Sequence, residues 1–376
     1  MSIEVKAINP TKSELKKYVQ FGIDLYKGND CYVPPLIFDE IDTLNPKKNP
    51  AFDFCKAQSF MAYRDGKAVG RITAIINEVV NQRTGNKTMR FGWVDFIDDK
   101  EVVDALFKAA EDWGRQHGMT SIVGPMGFSD MDHEGMLTEG FNELGTMATI
   151  YNHAYYPTHM ERMGFEKDAD WVEFRITIPD AVPDKYQRIA DIVRRKFNLR
   201  TVKFTSRKKL KDTYGQALFE LINDAYDKLY GYSPLTQRQI DYYIGMYLSF
   251  LRLEDVSVIV DENDKLVGVG ISMPSFSRAL QKGQGKLFPM GWWHLWNAMQ
   301  GKTDTVDLML IAISKEYLGK GVNALLFTDL LPGYIRHGYK WAESNIELEE
   351  NSNVQRQWEY FDYRQHRRRR AYKKSL

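Results

Sequence analysis

The segment 306–336 restricts the fold of this chain more than any other stretch. It begins as an alternating, β-branched apolar run typical of a buried strand, turns through Leu318-Gly319-Lys320-Gly321-Val322-Asn323, and continues as an apolar-periodic helix. A glycine-bearing turn before a helix N-terminus leaves backbone N–H groups free, and the helix dipole adds about half a positive charge there. The segment therefore predicts a strand, turn and helix that together hold an anion.

Length and composition set the class of protein. The 376 residues allow about two domains, and 43% hydrophobic with 27% charged residues are values of a soluble globular protein. The net charge of +1 gives no overall attraction to nucleic acid. The two cysteines, Cys31 and Cys55, indicate a reducing cytoplasm. Because we find neither an apolar signal core nor a run of about 18 apolar residues, we expect a cytoplasmic chain that does not span a bilayer.

The chain repeats one order of elements. The first copy is predicted as strand 3–8, helix 12–25, hairpin 60–64 with 67–76, strand 90–97, helix 100–117 and strand 121–123. The second is predicted as strand 199–205, helices 214–230 and 236–250, hairpin 257–260 with 265–273, and the strand, turn and helix above, followed by strand 340–346. A proline-rich, charged linker lies between the copies. We therefore predict domains at 1–180 and 186–376.

This arrangement resembles a tandem GNAT protein, with two copies of the fold of the CoA-dependent N-acyltransferases. The family's motif A is a strand ending in Gln/Arg-x-x-Gly-x-Gly/Ala, and the matching hexapeptide places Gly321 at the fourth position. It departs twice, because Leu318 replaces Gln or Arg and Asn323 replaces the last small residue. In the first copy, MERMGF resembles the family's late Tyr-Glu-Lys-Leu-Gly-Phe segment. The resemblance implies an α/β (α+β) protein of two GNAT-like domains, each a mixed, mainly antiparallel sheet flanked by helices.

The resemblance also implies a co-substrate, which is acetyl-CoA or a long-chain acyl-CoA. It further implies where this co-substrate binds. The amides of the turn would hold the CoA pyrophosphate, next to the strand that precedes it. The predicted cofactor-binding residues are Ile311, Ala312, Ile313, Leu318, Gly319, Lys320, Gly321, Val322 and Asn323. The first copy has no glycine turn after Ile97, so we expect a degenerate domain that binds no CoA and shapes a substrate surface.

Two kinds of side chain are candidates for proton transfer. On a helix predicted from Glu347 through Tyr360, Asn353 and Tyr360 resemble the family's Asn-x-x-Ala-x-x-x-Tyr, although arginine occupies the alanine position. In that family the tyrosine can protonate the leaving thiolate. The attacking amine must lose a proton, which a carboxylate can accept. The candidate bases are Glu343, Glu347 and Glu350, and solvated charges, helix-cap partners and a core tyrosine are the alternatives.

Two polar loops of the first copy are candidates for contacts with the acceptor amine. Residues 124–135 and 151–157 bring acids, histidines and aromatic rings to the carboxyl edge of the predicted sheet, where open α/β sheets bind ligands. The candidates are Asp132, His133, Glu134, Asn152 and Tyr155. Adjacent residues lack the spacing of a metal site, so we expect no metal, and a solvated connector is the alternative. No serine or cysteine lies in a nucleophile elbow, which favours direct attack by the amine.

An aromatic insertion and a basic tail remain. The stretch 287–299 contains Trp292, Trp293 and Trp296 and has basic flanks, which is typical of an interfacial membrane helix. A wall for a long acyl chain and a helix packed on its own domain are the alternatives. The tail 364–374 fits a solvated last strand, a contact with an anionic membrane or, with least support, a nucleic-acid contact.

A narrower resemblance concerns the segments GPMGFS, YNHAYY, LFPMGWWHLW and the C-terminal stretch beginning AESNIELEENSN. Together they resemble a bacterial tandem-GNAT family similar to the bacterial ceramide synthases, which N-acylate a sphingoid base. That resemblance implies a long-chain acyl donor and a lipid amine acceptor. The alternatives are an acetyltransferase for a small amine or a protein, and a non-catalytic ligand- or lipid-binding protein with a GNAT-like fold.

Overall fold

The computed structural model describes residues 2–247 and 251–376, so the end of the predicted helix 236–250 lies outside the described residues. The chain divides into two compact units. Unit 1 contains the chain up to Val172 together with Phe276–Leu295 and His366–Leu376, and unit 2 contains Glu173–Ser275 and Trp296–Gln365. The predicted limits followed the sequence repeat. The compact units differ from them because two segments of the C-terminal half belong to unit 1.

The elements follow the repeat. The strands are β1 (Ile3–Ala7), β2 (Cys55–Arg64), β3 (Lys67–Asn77), β4 (Thr88–Phe96), β5 (Ser121–Gly124), β6 (Met136–Glu139), β7 (Glu166–Thr177), β8 (Arg200–Val202), β9 (Val256–Val260), β10 (Leu266–Pro274), β11 (Thr305–Ile313), β12 (Trp341–Ser344), β13 (Glu347–Leu348) and β14 (Tyr363–Ser375). The helices are α1 (Lys12–Leu25), α2 (Ile37–Thr43), α3 (Glu78–Thr84), α4 (Lys100–Gln116), α5 (Tyr155–Arg162), α6 (Asp184–Phe197), α7 (Arg207–Tyr226), α8 (Gln237–Tyr247), α9 (Ser277–Gly283), α10 (Gly291–Met299), α11 (Asn323–Arg336) and α12 (Ser352–Gln355).

Unit 1 is a sheet in the order β1-β2-β3-β4-β5-β14, antiparallel except for the parallel pair β4–β5. Its hairpin turns as predicted, because Asp65 and Gly66 both have positive φ, of 51° and 76°. Alternate side chains of a strand face opposite sides of the sheet. Accordingly Ile72 belongs to the core that α4 covers, and Ile75 belongs to the core under α1 and α2.

Unit 2 is a sheet in the order β8-β9-β10-β11-β12, followed by the part of β7 that begins at Glu173. Among the strand pairs described for this sheet, β11 and β12 are parallel and the others antiparallel. Helix α7 packs on β10 and β11, and α11 packs on β9 and β10 beside α6. Each unit is thus a mixed, mainly antiparallel sheet flanked by helices, which confirms the predicted fold class.

Two elements differ from the prediction. Helix α6 was not predicted, although its buried side chains recur with helical spacing at Tyr186, Ala190 and Val193. The helix expected from Glu347 to Tyr360 is wrong. The chain instead forms β13, the single turn α12 and a 3-10 turn that ends at Trp358. The side-chain amide of Gln355 donates to the carbonyls of Leu348 and Glu349, at 3.0 and 3.1 Å, and so closes the chain into a compact loop.

The basic tail lies on β14, which belongs to unit 1 from His366 onward, and two of its arginines are buried. Alternation along β14 buries Arg367 and Arg369, which donate to the backbone carbonyls of Leu144 and Ile150. On the other face Arg368 and Arg370 bind the carboxylate of Asp170, at 3.2 and 2.8 Å. Because all four guanidinium groups have partners inside the unit, they are not free for lipid or nucleic acid.

Candidate active site

The parallel strands β11 and β12 part at the centre of unit 2. Their pairing ends at Leu308 beside Ser344, where β12 also ends, while β11 continues to Ile313 along β10 alone. Met309 is the extra residue of a bulge, since Ile271 pairs with Leu310 and Ser272 with Leu308. The side-chain amide of Asn345 donates to the Met309 carbonyl at 3.1 Å and reaches across the opening.

The glycine turn follows β11 after one short 3-10 turn, Lys315–Tyr317. Gly319 and Gly321 have φ of +72° and +79°, a backbone conformation that glycine adopts without strain. Helix α11 begins at Asn323 with no side chain capping its N-terminus. Among the described residues, the amides of Gly319, Gly321, Val322 and Asn323 have no hydrogen-bond acceptor. Unpaired N–H groups at the positive end of a helix dipole are suited to an anion. That the CoA pyrophosphate binds here stays a prediction.

The strand residues predicted beside the cofactor are Ile311, Ala312 and Ile313, and the structure places all three on β11 beyond the point where β12 ends. Ala312 is buried, and the other two are partly exposed. The Ile311 carbonyl accepts a hydrogen bond from the Tyr226 hydroxyl on α7, at 2.9 Å. Leu318, at the start of the turn, is exposed, with 56% of its surface accessible.

Tyr360 lies on the loop after Trp358, against α6. The rings of Tyr360 and Tyr186 meet edge to face with centroids 5.7 Å apart, and the Lys185 ammonium is 3.7 Å from the Tyr360 ring centre. Tyr186 also contacts Phe327 of α11, at 5.3 Å. Helix α6 therefore contacts both the Tyr360 loop and the helix that starts at the glycine turn. Tyr360 keeps 41% of its surface exposed, so it is not the core aromatic of the alternative interpretation.

Glu347 differs from the other candidate bases. Burial raises the pKa of Glu347 to about 8, and the hydrogen bond from the Trp358 indole N–H to Oε1, at 2.9 Å, offsets this in part. Its Oε2 is buried and has no hydrogen-bond partner among the described residues. A carboxyl group with a pKa near neutrality is suited to accept and return a proton.

The other two candidates have different surroundings. Glu343 is buried on β12, with its Oε1 3.6 Å from Nε of Arg175. Glu350 is exposed at the turn after β13. The chemistry of the three sites therefore singles out Glu347.

The structure places the predicted acceptor residues Asp132, His133 and Glu134 in unit 1, on the loop between β5 and β6, where each is partly exposed. Burial raises the pKa of Asp132 to about 7 and that of Glu134 well above its usual value, and it lowers the pKa of His133. Asp132 Oδ2 accepts the Ser129 N–H at 3.0 Å. Among the described residues, no group of acids, histidines or cysteines has the arrangement of a metal site.

The side chains of Asn152 and Tyr155 bond to the backbone of unit 1. The side chain of Asn152 is buried and bonds to the N–H and the carbonyl of Leu137, at 2.6 and 3.0 Å, like a strand partner of β6. The Tyr155 hydroxyl donates to the Phe96 carbonyl at 2.7 Å. Burial raises the pKa of the two cysteine thiols, Cys31 and Cys55, and that of Cys55 reaches about 12. Neither thiol is therefore a ready nucleophile.

The aromatic insertion forms α9 and α10. Trp292, Trp293 and Trp296 keep 48%, 39% and 47% of their surfaces exposed, and the neighbouring Phe288 and Met290 are exposed as well. The Trp292 indole donates to the Pro289 carbonyl at 3.0 Å. These exposures leave the three indole rings accessible at the surface. Across the described residues, no helix has the length and apolar content to cross a bilayer.

Sequence reasoning missed three residues of this region. Asn345 and Trp358 take part only through contacts that form on folding, and nothing local marks either residue. Tyr186 belongs to α6, whose apolar period was visible in the sequence but lay next to the proline-rich linker.

Two known proteins are similar to this chain in sequence over most of its length. No family model matches the sequence. Protein YghO of Escherichia coli (strain K12) is 28% identical over 371 residues, covering 97% of this chain and 94% of that protein. The bacterial ceramide synthase of Caulobacter vibrioides is 29% identical over 311 residues, covering 82% of this chain and 79% of that protein.

Solved structures agree on the fold. A tandem GNAT protein from the clavulanic acid biosynthesis pathway has a TM-score of 0.58 at 12% identity, covering 100% of this chain and 98% of that chain. A GCN5-related glucosamine N-acetyltransferase region of a fungal β-N-acetylglucosaminidase has a TM-score of 0.55 at 14% identity, covering 99% of this chain and 38% of that chain. The fold is that of a tandem GNAT protein. The resemblance to GNAT proteins and bacterial ceramide synthases is thereby confirmed.

Proposed function

We propose that the protein is an acyl-CoA-dependent N-acyltransferase in which an amine attacks the thioester directly. The observation that carries the proposal is the glycine turn, whose unpaired amides lie at the uncapped N-terminus of α11 next to the opening between β11 and β12. Those amides bind the CoA pyrophosphate, and the pantetheine arm enters the opening. The tandem GNAT fold supports acyl-CoA as the co-substrate.

The reaction forms a C–N bond and breaks a C–S bond. Glu347 takes the proton that the amine loses, because its pKa of about 8 places it near the pH at which it works. A backbone N–H of β11 beyond Leu308 donates to the carbonyl oxygen as negative charge develops there. Tyr360 gives its hydroxyl proton to the departing thiolate.

A long-chain acyl donor and a lipid amine acceptor are the finer part of the proposal. The similarity to a protein named a bacterial ceramide synthase supports them. The exposed aromatic segment 287–296 supports a peripheral membrane position, because indole rings favour the interface between water and lipid.

Turnover tests the function. Purified protein is incubated with acetyl-, octanoyl- or palmitoyl-CoA and a detergent-dispersed amine, and free CoA thiol and amide product are quantified. We expect equal amounts of thiol and amide, and a higher rate with the long-chain donor. Thiol release without amide, or no turnover with any donor at saturating concentration, would refute the transferase.

Liposome flotation tests the membrane position. Replacing Trp292, Trp293 and Trp296 by serine is expected to reduce flotation with anionic vesicles about tenfold or more, because three half-exposed indoles are removed from the interface. The matched control is Tyr363→Ser, which removes an exposed aromatic ring outside the segment. Equal flotation of the triple variant and the wild type would assign the segment to another role.

A further inference from the structure

Helix α6 forms a wall beside the glycine turn. A Cβ atom added to Gly321 would lie 3.0 Å from Cγ2 of Ile189 and 3.4 Å from Cγ2 of Val193. One turn earlier, Tyr186 packs on Phe327 of α11. A ligand whose pyrophosphate occupies the turn therefore has α6 as its immediate neighbour.

Several positively charged side chains lie on this wall. The ammonium groups of Lys196 and Lys320 each lie 5.3 Å from the centre of the Phe197 ring. Arg188 and Arg195 are exposed on the same helix. None of these four cations has a carboxylate partner among the described residues.

Neighbouring basic residues show a different arrangement. Arg194 on the same helix binds Asp191 at 2.8 Å, and Lys315 before the turn binds Asp224 at 2.8 Å. The carboxylate of Glu262, close to the end of α6, accepts a hydrogen bond from Asn198 at 2.8 Å. Like charges held together without a partner repel, and an anion bound among them relieves the repulsion.

Two aliphatic side chains complete the surface. Ile192 is 62% exposed and lies between Arg188 and Arg195 at helical spacing, so the three share one side of α6. Leu318 is 56% exposed and precedes Gly319 directly. Exposed aliphatic groups beside cations are suited to a ligand that has a flat apolar ring and a phosphate.

We infer that this side of α6 binds the adenosine 3′-phosphate end of CoA. Lys196, Lys320 and Arg195 pair with the 3′-phosphate, a monoester that carries a charge of about −1.5 to −2 at neutral pH. Ile192 and Leu318 contact the adenine ring. The inference rests on the proposed function, because the pyrophosphate at the glycine turn brings the nucleotide to α6.

Calorimetry with CoA and 3′-dephospho-CoA on the intact chain tests the inference. We expect wild-type protein to bind CoA about tenfold or more tightly than dephospho-CoA. The double variant Arg195→Gln/Lys196→Gln is expected to bind CoA as weakly as dephospho-CoA, with its affinity for dephospho-CoA unchanged. The control is Arg194→Gln, on the same helix but ion-paired with Asp191, and it should keep the wild-type preference.

The outcomes separate the inference from the function it rests on. Equal wild-type affinity for the two ligands overturns the α6 site and leaves the transferase intact. Retained preference in the double variant overturns it as well. Binding of neither ligand by the wild type removes the CoA site itself. Unchanged affinity for dephospho-CoA in the double variant also reports that the variant is folded.

Discussion

The two units pass from strand to helix in opposite ways. In unit 1, the helix after β4 starts at a cap, because the Asp99 carboxylate accepts the Val102 N–H at 3.1 Å and pairs with Arg64 at 2.8 Å. In unit 2, the helix after β11 starts at a glycine turn with no side-chain cap. The N-terminus of α4 is capped by the Asp99 carboxylate. No side chain caps the N-terminus of α11, and we propose that a ligand binds there.

The parallel pair β4–β5 of unit 1 and the parallel pair β11–β12 of unit 2 also differ in how far the two strands stay bonded. Beyond Arg90 and Val123, the chain after β5 stays bonded to β4, since the Met126 N–H donates to the Phe91 carbonyl at 2.8 Å. Beyond Leu308 and Ser344, the side chain of Asn345 crosses the opening and donates a hydrogen bond to the Met309 carbonyl. The same order of elements therefore keeps the parallel strands bonded in unit 1 and leaves them parted in unit 2. Under the proposed function, the cap and the strand opening, rather than the fold, decide which unit binds acyl-CoA.

Replacing Glu347 by glutamine tests whether the chemistry lies in unit 2. We expect kcat to fall by about 10²–10⁴ with CoA affinity unchanged, because the amide cannot accept the amine proton. Wild-type activity should rise with pH up to about 8, where the carboxyl ionises, and this rise should be lost in the variant. The control Glu359→Gln changes an exposed carboxylate of the same loop and should be silent. Full activity of the Glu347 variant would place the base elsewhere.

The same variant has a stability signature. The folded protein favours protonated Glu347, with a pKa of about 8 against an ordinary value of 4.5. The unfolded chain therefore binds fewer protons between those values, and wild-type stability falls as pH rises through this window. Thermal unfolding should show the glutamine variant more stable than the wild type at pH 8 and equal to it below pH 4.5.

Replacing Tyr360 by phenylalanine tests the proposed acid with a smaller change. The ring contact with Tyr186 and the Lys185 contact survive, so we expect normal folding and CoA affinity. Loss of the hydroxyl should lower kcat by about tenfold to a hundredfold, and less for a donor with a more acidic thiol leaving group. An unchanged kcat with every donor would mean that water protonates the thiolate.

Removing the cap of unit 1 has the smallest effect. The change Asp99→Ala uncaps α4 and breaks the Arg64 pair, and it should cost about 1 kcal/mol of unfolding free energy. A melting-temperature decrease of about 2–4 °C would report this loss. CoA stoichiometry should stay unchanged, because the strands of unit 1 remain closed. A second bound CoA would show that the Asp99 cap alone excluded it.

Local signals predicted much of this structure. The hairpin at Asp65-Gly66 and the turn at Gly319 and Gly321 each depend on a few adjacent residues with strong conformational preferences. The structure agrees at all of these positions.

The features that the sequence did not predict depend on distant contacts. A run of arginines resembles a solvated tail, and only the carbonyls of Leu144 and Ile150 explain why Arg367 and Arg369 are buried. The break after Leu348 depends on Gln355 folding back on the chain, and the selection of Glu347 depends on its enclosure beside Trp358. A single sequence contains no direct record of such pairs, so these contacts became visible only in the structure.

Calorimetric titration of CoA into wild type, Gly319→Asp and Gly319→Asn tests whether the glycine turn of unit 2 binds CoA. A Cβ at Gly319 meets open space, and both replacements tolerate its positive φ, so the pair differs mainly in one charge next to the bound pyrophosphate. We expect the wild type and the asparagine variant to bind one CoA per chain, and the aspartate variant to bind none. Wild-type affinity in the aspartate variant, or two CoA molecules per wild-type chain, would contradict it.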